Sequence, residues 1–149
     1  PRPTAVDAET RVAYAATDRL GDFALFAPLR CPADDLEPDD GFFAAHPLHL
    51  GDPPLRRLLD IADDEDWFRV ELAAGETLRV AVDELSPGVT PVMSVLDRDG
   101  LSRMASRAGA GEIAWTAPLE GTYFVRVTPA AGSVTGCNAG YRLRLLSGE

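Results

Sequence analysis

The segment WFRVEL, residues 67–72, decides the fold class because apolar and charged side chains alternate along it. Successive side chains of an extended strand point to opposite faces, so this alternation is typical of a half-buried β-strand. We predict a strand here, with Phe68, Val70 and Leu72 facing the core. Trp67 should then face outward, together with the two charged residues of the segment.

The same period of two recurs in four further segments of the chain. The predicted inward positions are Leu78, Val80 and Val82, then Ile113 and Trp115, then Tyr123, Val125 and Val127, and finally Tyr141, Leu143 and Leu145. Pro91 to Asp97 adds a sixth strand, Leu55 to Ile61 a short one, and Gly41 to Ala45 a single helical turn. Short strands separated by glycine and proline turns are typical of an all-β sandwich or barrel.

The first 30 residues differ from the rest, since two strand-like runs, Arg11–Ala16 and Phe23–Ala27, flank a polar turn. A lone two-stranded hairpin is marginal in water. This hairpin therefore either packs on the main domain or ends a preceding β-domain, and we favour the second interpretation. We expect residues 1–30 to form this hairpin, residues 31–149 to form the main domain, and Pro28–Pro38 to be the linker.

Composition excludes several classes of partner. The net charge of −10 and the pI of about 4.6 argue against a nucleic-acid partner, which clustered positive charge would attract. No apolar run approaches the roughly 18 to 20 residues that span a bilayer. The chain begins at Pro1, so we expect it to be an excised or processed part of a longer protein.

Two cysteines, Cys31 and Cys137, admit one intramolecular pair or two free thiols. We predict that they form a disulfide. The pairing would close a long loop, which stabilises a fold by restricting the unfolded chain.

Two acidic runs are the best candidates for a functional site. Five of the seven residues from Asp34 to Asp40 are acidic, and Asp63–Asp66 are acidic without a break. Like charges brought together repel one another unless a cation neutralises them, and calcium takes six to eight oxygen ligands. The runs are either such a cation site or solvated turns. Their spacing does not match an EF-hand loop.

The order of several motifs supports a resemblance to a known family. These are, in one-letter code, DLEPDDGF at 35–42, DEDWFRV at 64–70, AGETL at 74–78, DRDG at 97–100, GTYFVRV at 121–127 and YRL at 141–143. Together they resemble the bacterial pre-peptidase C-terminal domain. The match extends from Asp35 to Leu143.

This resemblance implies a jelly-roll-like antiparallel β-sandwich of the kind found at the ends of secreted bacterial proteases and other exported enzymes, including the collagen-binding domains of clostridial collagenases. Some members bind calcium where the acidic segment folds against the loop before the strand that begins Asp-Trp-Phe. The implied calcium ligands in this chain are Asp35, Glu37, Asp39, Asp40, Asp63 and Asp66. Trp67 and Trp115 are candidates for ligand contact if their rings are exposed.

No pattern for catalysis emerges from the sequence. The chain has no Gly-x-Ser-x-Gly elbow, and neither cysteine lies in a recognisable catalytic context. Together with the resemblance, which implies the parent and the ion, this leads us to expect a non-catalytic, calcium-binding accessory module of a secreted or surface bacterial enzyme, with a protease as the expected parent. It would bind an extracellular protein or polysaccharide substrate, or act as a spacer between domains of the same chain. Two alternatives remain open: a processing or secretion element removed on maturation, and a carbohydrate-binding module.

Overall fold

The structure, a computed structural model, describes residues 3–7, 12–15 and 35–146. These residues contain eleven strands and one short 3-10 helix, Phe42–Ala44, and no α-helix. The strands are β1 (Pro3–Asp7), β2 (Val12–Ala15), β3 (His46–Pro47), β4 (Leu55–Leu58), β5 (Asp66–Leu72), β6 (Thr77–Asp83), β7 (Pro91–Leu96), β8 (Arg103–Ala108), β9 (Gly111–Thr116), β10 (Gly121–Pro129) and β11 (Gly140–Leu145). Among these residues, no helix is long and apolar enough to cross a membrane.

Strands β3 to β11 form two sheets. The five-stranded sheet has the order β3-β5-β10-β7-β8, and the four-stranded sheet has the order β4-β11-β6-β9. Neighbouring strands are antiparallel except for the short parallel pair of β3 and β5. The predicted all-β class and antiparallel β-sandwich are confirmed.

The core lies between the two sheets and uses the inward positions predicted from the alternation. Phe68, Val80, Val125 and Leu143 are fully buried there. Burying a large apolar side chain stabilises the fold by about 1.5–3 kcal/mol. The predicted inward residues Trp115 and Leu145 are only partly buried and pack against the margin of this core.

A second, smaller apolar cluster covers the outer face of the five-stranded sheet. It contains Ala45, Trp67, Leu96 and Phe124. The ring of Phe42, in the 3-10 helix, lies 6.3 Å from that of Trp67 between centroids and covers this face.

The condition for ligand contact by Trp67, an exposed ring, is therefore not met. Its side chain points away from the main core, as the alternation predicts, but it is only 5% exposed. The guanidinium of Arg126 also lies 5.4 Å from the centre of its ring. Alternation gives the face of a strand, and it does not reveal what another segment places over that face.

Several elements differ from the prediction, among them β1 and β3, which lie outside every predicted strand. Strand β8 was not predicted, because almost all of its residues are exposed and its sequence RMASRA lacks apolar alternation. Strand β4 is shorter than predicted and ends at Leu58. Strand β2 falls within the predicted run Arg11–Ala16 but pairs with β1; its predicted partner, Phe23–Ala27, lies outside the described residues.

Candidate metal centre

Three carboxylates from the two acidic runs meet at one end of the sandwich. Glu37, Asp39 and Asp66 each offer an oxygen within 4.8 Å of the others, and we call these residues the acidic triad. Asp39 and Asp66 are buried, and Glu37 is partly buried. Asp66 begins β5 two residues before Phe68, so it has the inward parity of the core residues.

Arg57 lies at the centre of the acidic triad. Its Nη2 donates to both oxygens of Asp39, at 2.9 and 3.0 Å, and to Glu37 at 3.5 Å. Its Nε donates to Oδ1 of Asp66 at 3.0 Å. Burial alone would lower the pKa of Arg57, but the nearby Asp66 and Asp39 carboxylates outweigh it and raise that pKa. Arg57 is therefore a permanent positive charge inside the sandwich.

Tyr141 completes the inner side of the site. In the register of β4 and β11 it lies opposite Arg57, and its hydroxyl donates to Oδ2 of Asp66 at 2.5 Å. Burial, and then the charge of Asp66, raises the pKa of Tyr141 well above its usual range. The phenol therefore stays protonated and remains a donor at neutral pH.

Asp64 adds a further buried carboxyl group close to the acidic triad. Its Oδ2 accepts a hydrogen bond of 2.7 Å from the backbone N–H of Asp60. Burial, followed by repulsion from Asp66, raises the pKa of Asp64 to about 7. Asp64 therefore resists ionisation mainly because it is buried, and the negative charge of Asp66 adds to that effect.

The residues fit a hard divalent cation by charge and by donor type. Three carboxylates face one guanidinium, so the acidic triad and Arg57 carry a net charge of −2 when all are ionised. Carboxylate oxygens are the ligands that calcium prefers. Because Arg57 already contacts every member of the triad, a bound ion would share these carboxylates with the guanidinium.

The structure brings together half of the ligand set expected from the resemblance. Glu37, Asp39 and Asp66 form the group just described. The remaining three residues are exposed and lie outside it: Asp35, Asp40 and Asp63. The metal-binding role of all six residues stays a prediction.

Sequence reasoning missed the roles of Arg57 and Tyr141. Arg57 has the same parity as Leu55 and Leu59 in a predicted strand, so alternation already placed a charged side chain on the inward face. An inward charge needs an opposite charge, and this was the available signal. Tyr141 was correctly predicted as core, but its hydroxyl was given no partner.

The other predicted site residues lie elsewhere. Trp115 on β9 is partly buried, with its ring 4.9 Å from that of Tyr123 between centroids. Cys137, in the segment before β11, is disulfide-bonded. Cys31 lies outside the described residues, so the pairing of Cys31 with Cys137 stays a prediction.

The proteins similar to this chain are found among solved structures. No family model and no curated protein matches the chain. Among solved structures it is similar to the pre-peptidase C-terminal domain of collagenase from Bacillus anthracis, with 14% identity and a TM-score of 0.49, over 68% of this chain and 94% of that one. It is also similar to PliG from Aeromonas hydrophila, a periplasmic inhibitor of g-type lysozyme, with 14% identity and a TM-score of 0.42, over 68% of this chain and 96% of that one. The name of the first structure is that of the family that the sequence resembles.

Proposed function

We propose that this chain is a non-catalytic, calcium-binding accessory module of an exported bacterial enzyme, with a protease as the expected parent. The observation that carries the proposal is the acidic triad, in which buried carboxylates from two separate segments outnumber their positive partner. Calcium would be held by Glu37, Asp39 and Asp66. When bound, it would add positive charge between residues 35–41 and the start of β5 and so strengthen the contact between them.

Export is supported by chemistry within the chain. Cys137 is disulfide-bonded, and disulfides persist mainly in oxidising compartments outside the cytosol. A secreted module would also meet calcium at the millimolar concentrations for which weak extracellular sites are suited.

Trp67 does not support a role in substrate binding, because its ring is covered. The exposed aromatic residues on the same face are Phe42 and Phe43, at 42% and 84% exposure. The proposed module would bind substrate through these exposed aromatic residues, or act as an ordered joint between domains of one chain. Deleting it from the parent enzyme should change the attachment to an insoluble substrate and leave turnover of a small soluble substrate intact.

The calcium proposal is tested by calorimetric titration of chelator-treated protein, with thermal melts in parallel. We expect saturable binding and a higher melting temperature in calcium, both lost in Glu37→Gln. Glu120→Gln is the matched control, because Glu120 is acidic and exposed but lies outside both acidic runs. Absence of binding heat together with an unchanged melting temperature would contradict the proposal, and so would equal loss of binding in both variants.

A further inference from the structure

We propose that Arg57 is a built-in counter-ion that docks residues 35–41, which we call the docking segment, onto the sandwich without any metal ion. We further infer that Arg57 weakens the binding of a divalent cation to the same carboxylates. The second statement rests on the calcium-binding function proposed above, and the first does not.

The geometry places the guanidinium where a shared cation would be expected. The Arg57 side chain is 0% exposed and contacts Glu37 and Asp39 from the docking segment and Asp66 from β5. One positive group thus joins two pieces of chain that repel each other by charge. Charge-assisted hydrogen bonds of this kind are about twice as strong as neutral ones.

Arg57 is held in place from its other side by the sandwich. It belongs to β4, pairs in register with Tyr141 on β11, and its guanidinium lies 5.9 Å from the centre of the Phe68 ring. Withdrawing it would leave a buried, unpaired charge, which is strongly unfavourable. The counter-ion is therefore a fixed part of the fold, and the docking segment binds to it.

The fixed guanidinium of Arg57 lowers the affinity with which this site can bind a metal ion. Asp39 presents both oxygens to Nη2 of Arg57, so a cation must share oxygens that are already bonded. The two positive charges also repel each other. Calcium should then strengthen a docked segment only modestly, and it should become essential once Arg57 loses its charge.

The experiment compares Arg57→Met with Arg56→Met by hydrogen exchange in chelator and in calcium. Arg56 is the matched control because it lies beside Arg57 on β4, with an exposed side chain paired to Glu84. The reporters are the amides of Gly41 and Ala44, which donate to Asp39 O at 2.8 Å and Gly41 O at 2.9 Å.

In chelator we expect the wild type and Arg56→Met to protect these amides equally, and Arg57→Met to lose at least tenfold in protection. Calcium should restore protection in Arg57→Met and bind that variant at least tenfold more tightly than the wild type. Full protection of Arg57→Met in chelator would overturn the docking role. Loss of wild-type protection in chelator would do the same, because the metal would then be the docking cation.

The two proposals fail separately. If calcium binds no variant, the calcium function is wrong, while the chelator measurements still decide whether Arg57 docks the segment. If calcium binds Arg57→Met no more tightly than the wild type, the competition is wrong. Should Arg57→Met not fold, Asp39→Asn decides the docking role: we expect severalfold faster exchange at Gly41 with unchanged exchange in β10, and unchanged exchange at Gly41 would overturn it.

Discussion

The hydroxyl of Tyr141 donates a hydrogen bond of 2.5 Å to Oδ2 of Asp66, while Nε of Arg57 donates to Oδ1 of the same carboxylate. Both oxygens of a fully buried aspartate are thus bonded to side chains of the opposite sheet. The polar site is thereby built into the packing between the sheets, since Arg57 and Tyr141 lie on adjacent strands at inward positions. Asp66 therefore contributes to the stability of the fold as well as to the negative charge of the site.

Tyr141→Phe should destabilise the protein by about 1.5–3 kcal/mol, because a hydrogen bond to a charged group is lost and a buried carboxylate keeps one donor fewer. Tyr123→Phe is the control, since Tyr123 is equally buried but its hydroxyl donates to a neutral acceptor, Leu119 O, at 2.7 Å. That change should cost about 0.5–1.5 kcal/mol. Urea unfolding of both variants measures the difference, and equal costs would show that the Asp66 contact is not special.

The raised pKa of Asp64 predicts a falling stability between about pH 4 and pH 7 in chelator. The folded state holds the proton up to a pKa of about 7, above the ordinary value of 3.8, so the unfolded state releases it first. The free energy of unfolding should therefore decrease as pH rises through this window, by at most about 1.4 kcal/mol per pH unit from this group.

Asp64→Asn should remove this slope while keeping an oxygen that can accept the Asp60 N–H. Its stability relative to the wild type should increase from pH 5 to pH 8, as measured by urea midpoints. In Asp63→Asn, which changes an exposed neighbour, stability should depend on pH as it does in the wild type. A parallel course for Asp64→Asn as well would mean that Asp64 ionises normally in the folded protein.

Most of the fold could be predicted from sequence because it depends on a local signal. A strand with one face in the core repeats its apolar residues every second position, as Phe68, Val70 and Leu72 do on β5. Strand β8 lacks this signal because it lies at the edge of its sheet with little burial. Its existence depends on pairing with β7, which the sequence of β8 does not encode by itself.

The candidate site was only partly predictable for a related reason. Acidic composition identified two runs, but which carboxylates turn inward depends on the path of residues 35–41 and on strand parity. Asp66 shares the parity of Phe68 and is buried, whereas Asp63 precedes the strand and is exposed. Arg57 supplies the missing half of the site from a strand nine residues earlier, and composition cannot reveal that contact.

Trp67 should contribute to stability as a core residue does, in spite of facing away from the main core. Trp67→Ala removes a side chain that is 5% exposed and packs against Phe124 and Phe42. The expected cost is about 3–5 kcal/mol. Phe43→Ala, at an aromatic residue that is 84% exposed, should change stability by less than about 0.5 kcal/mol. If urea unfolding shows similar losses of stability in the two variants, Trp67 does not pack as a member of the second apolar cluster.

A substitution at Gly100 tests whether the ring of Phe42 covers Trp67. A Cβ at Gly100 would lie 2.9 Å from Cγ of Phe42, and its φ of +67° is unfavourable for other residues. Gly109 has a similar φ of +73° with no atom within 4 Å of such a Cβ. Gly109→Ala should therefore cost about 1–2 kcal/mol from the backbone alone, and Gly100→Ala about 1–3 kcal/mol more because Phe42 must move.

The displacement of Phe42 should also be visible in fluorescence. In a Trp115→Phe background Trp67 is the remaining tryptophan of the chain, so its emission reports on this cover alone. Gly100→Ala should shift that emission to longer wavelength as water reaches the ring, and Gly109→Ala should leave it unchanged. If Gly100→Ala loses stability without a shift in emission, the strain is absorbed away from Phe42, and Phe42 does not act as the cover of Trp67.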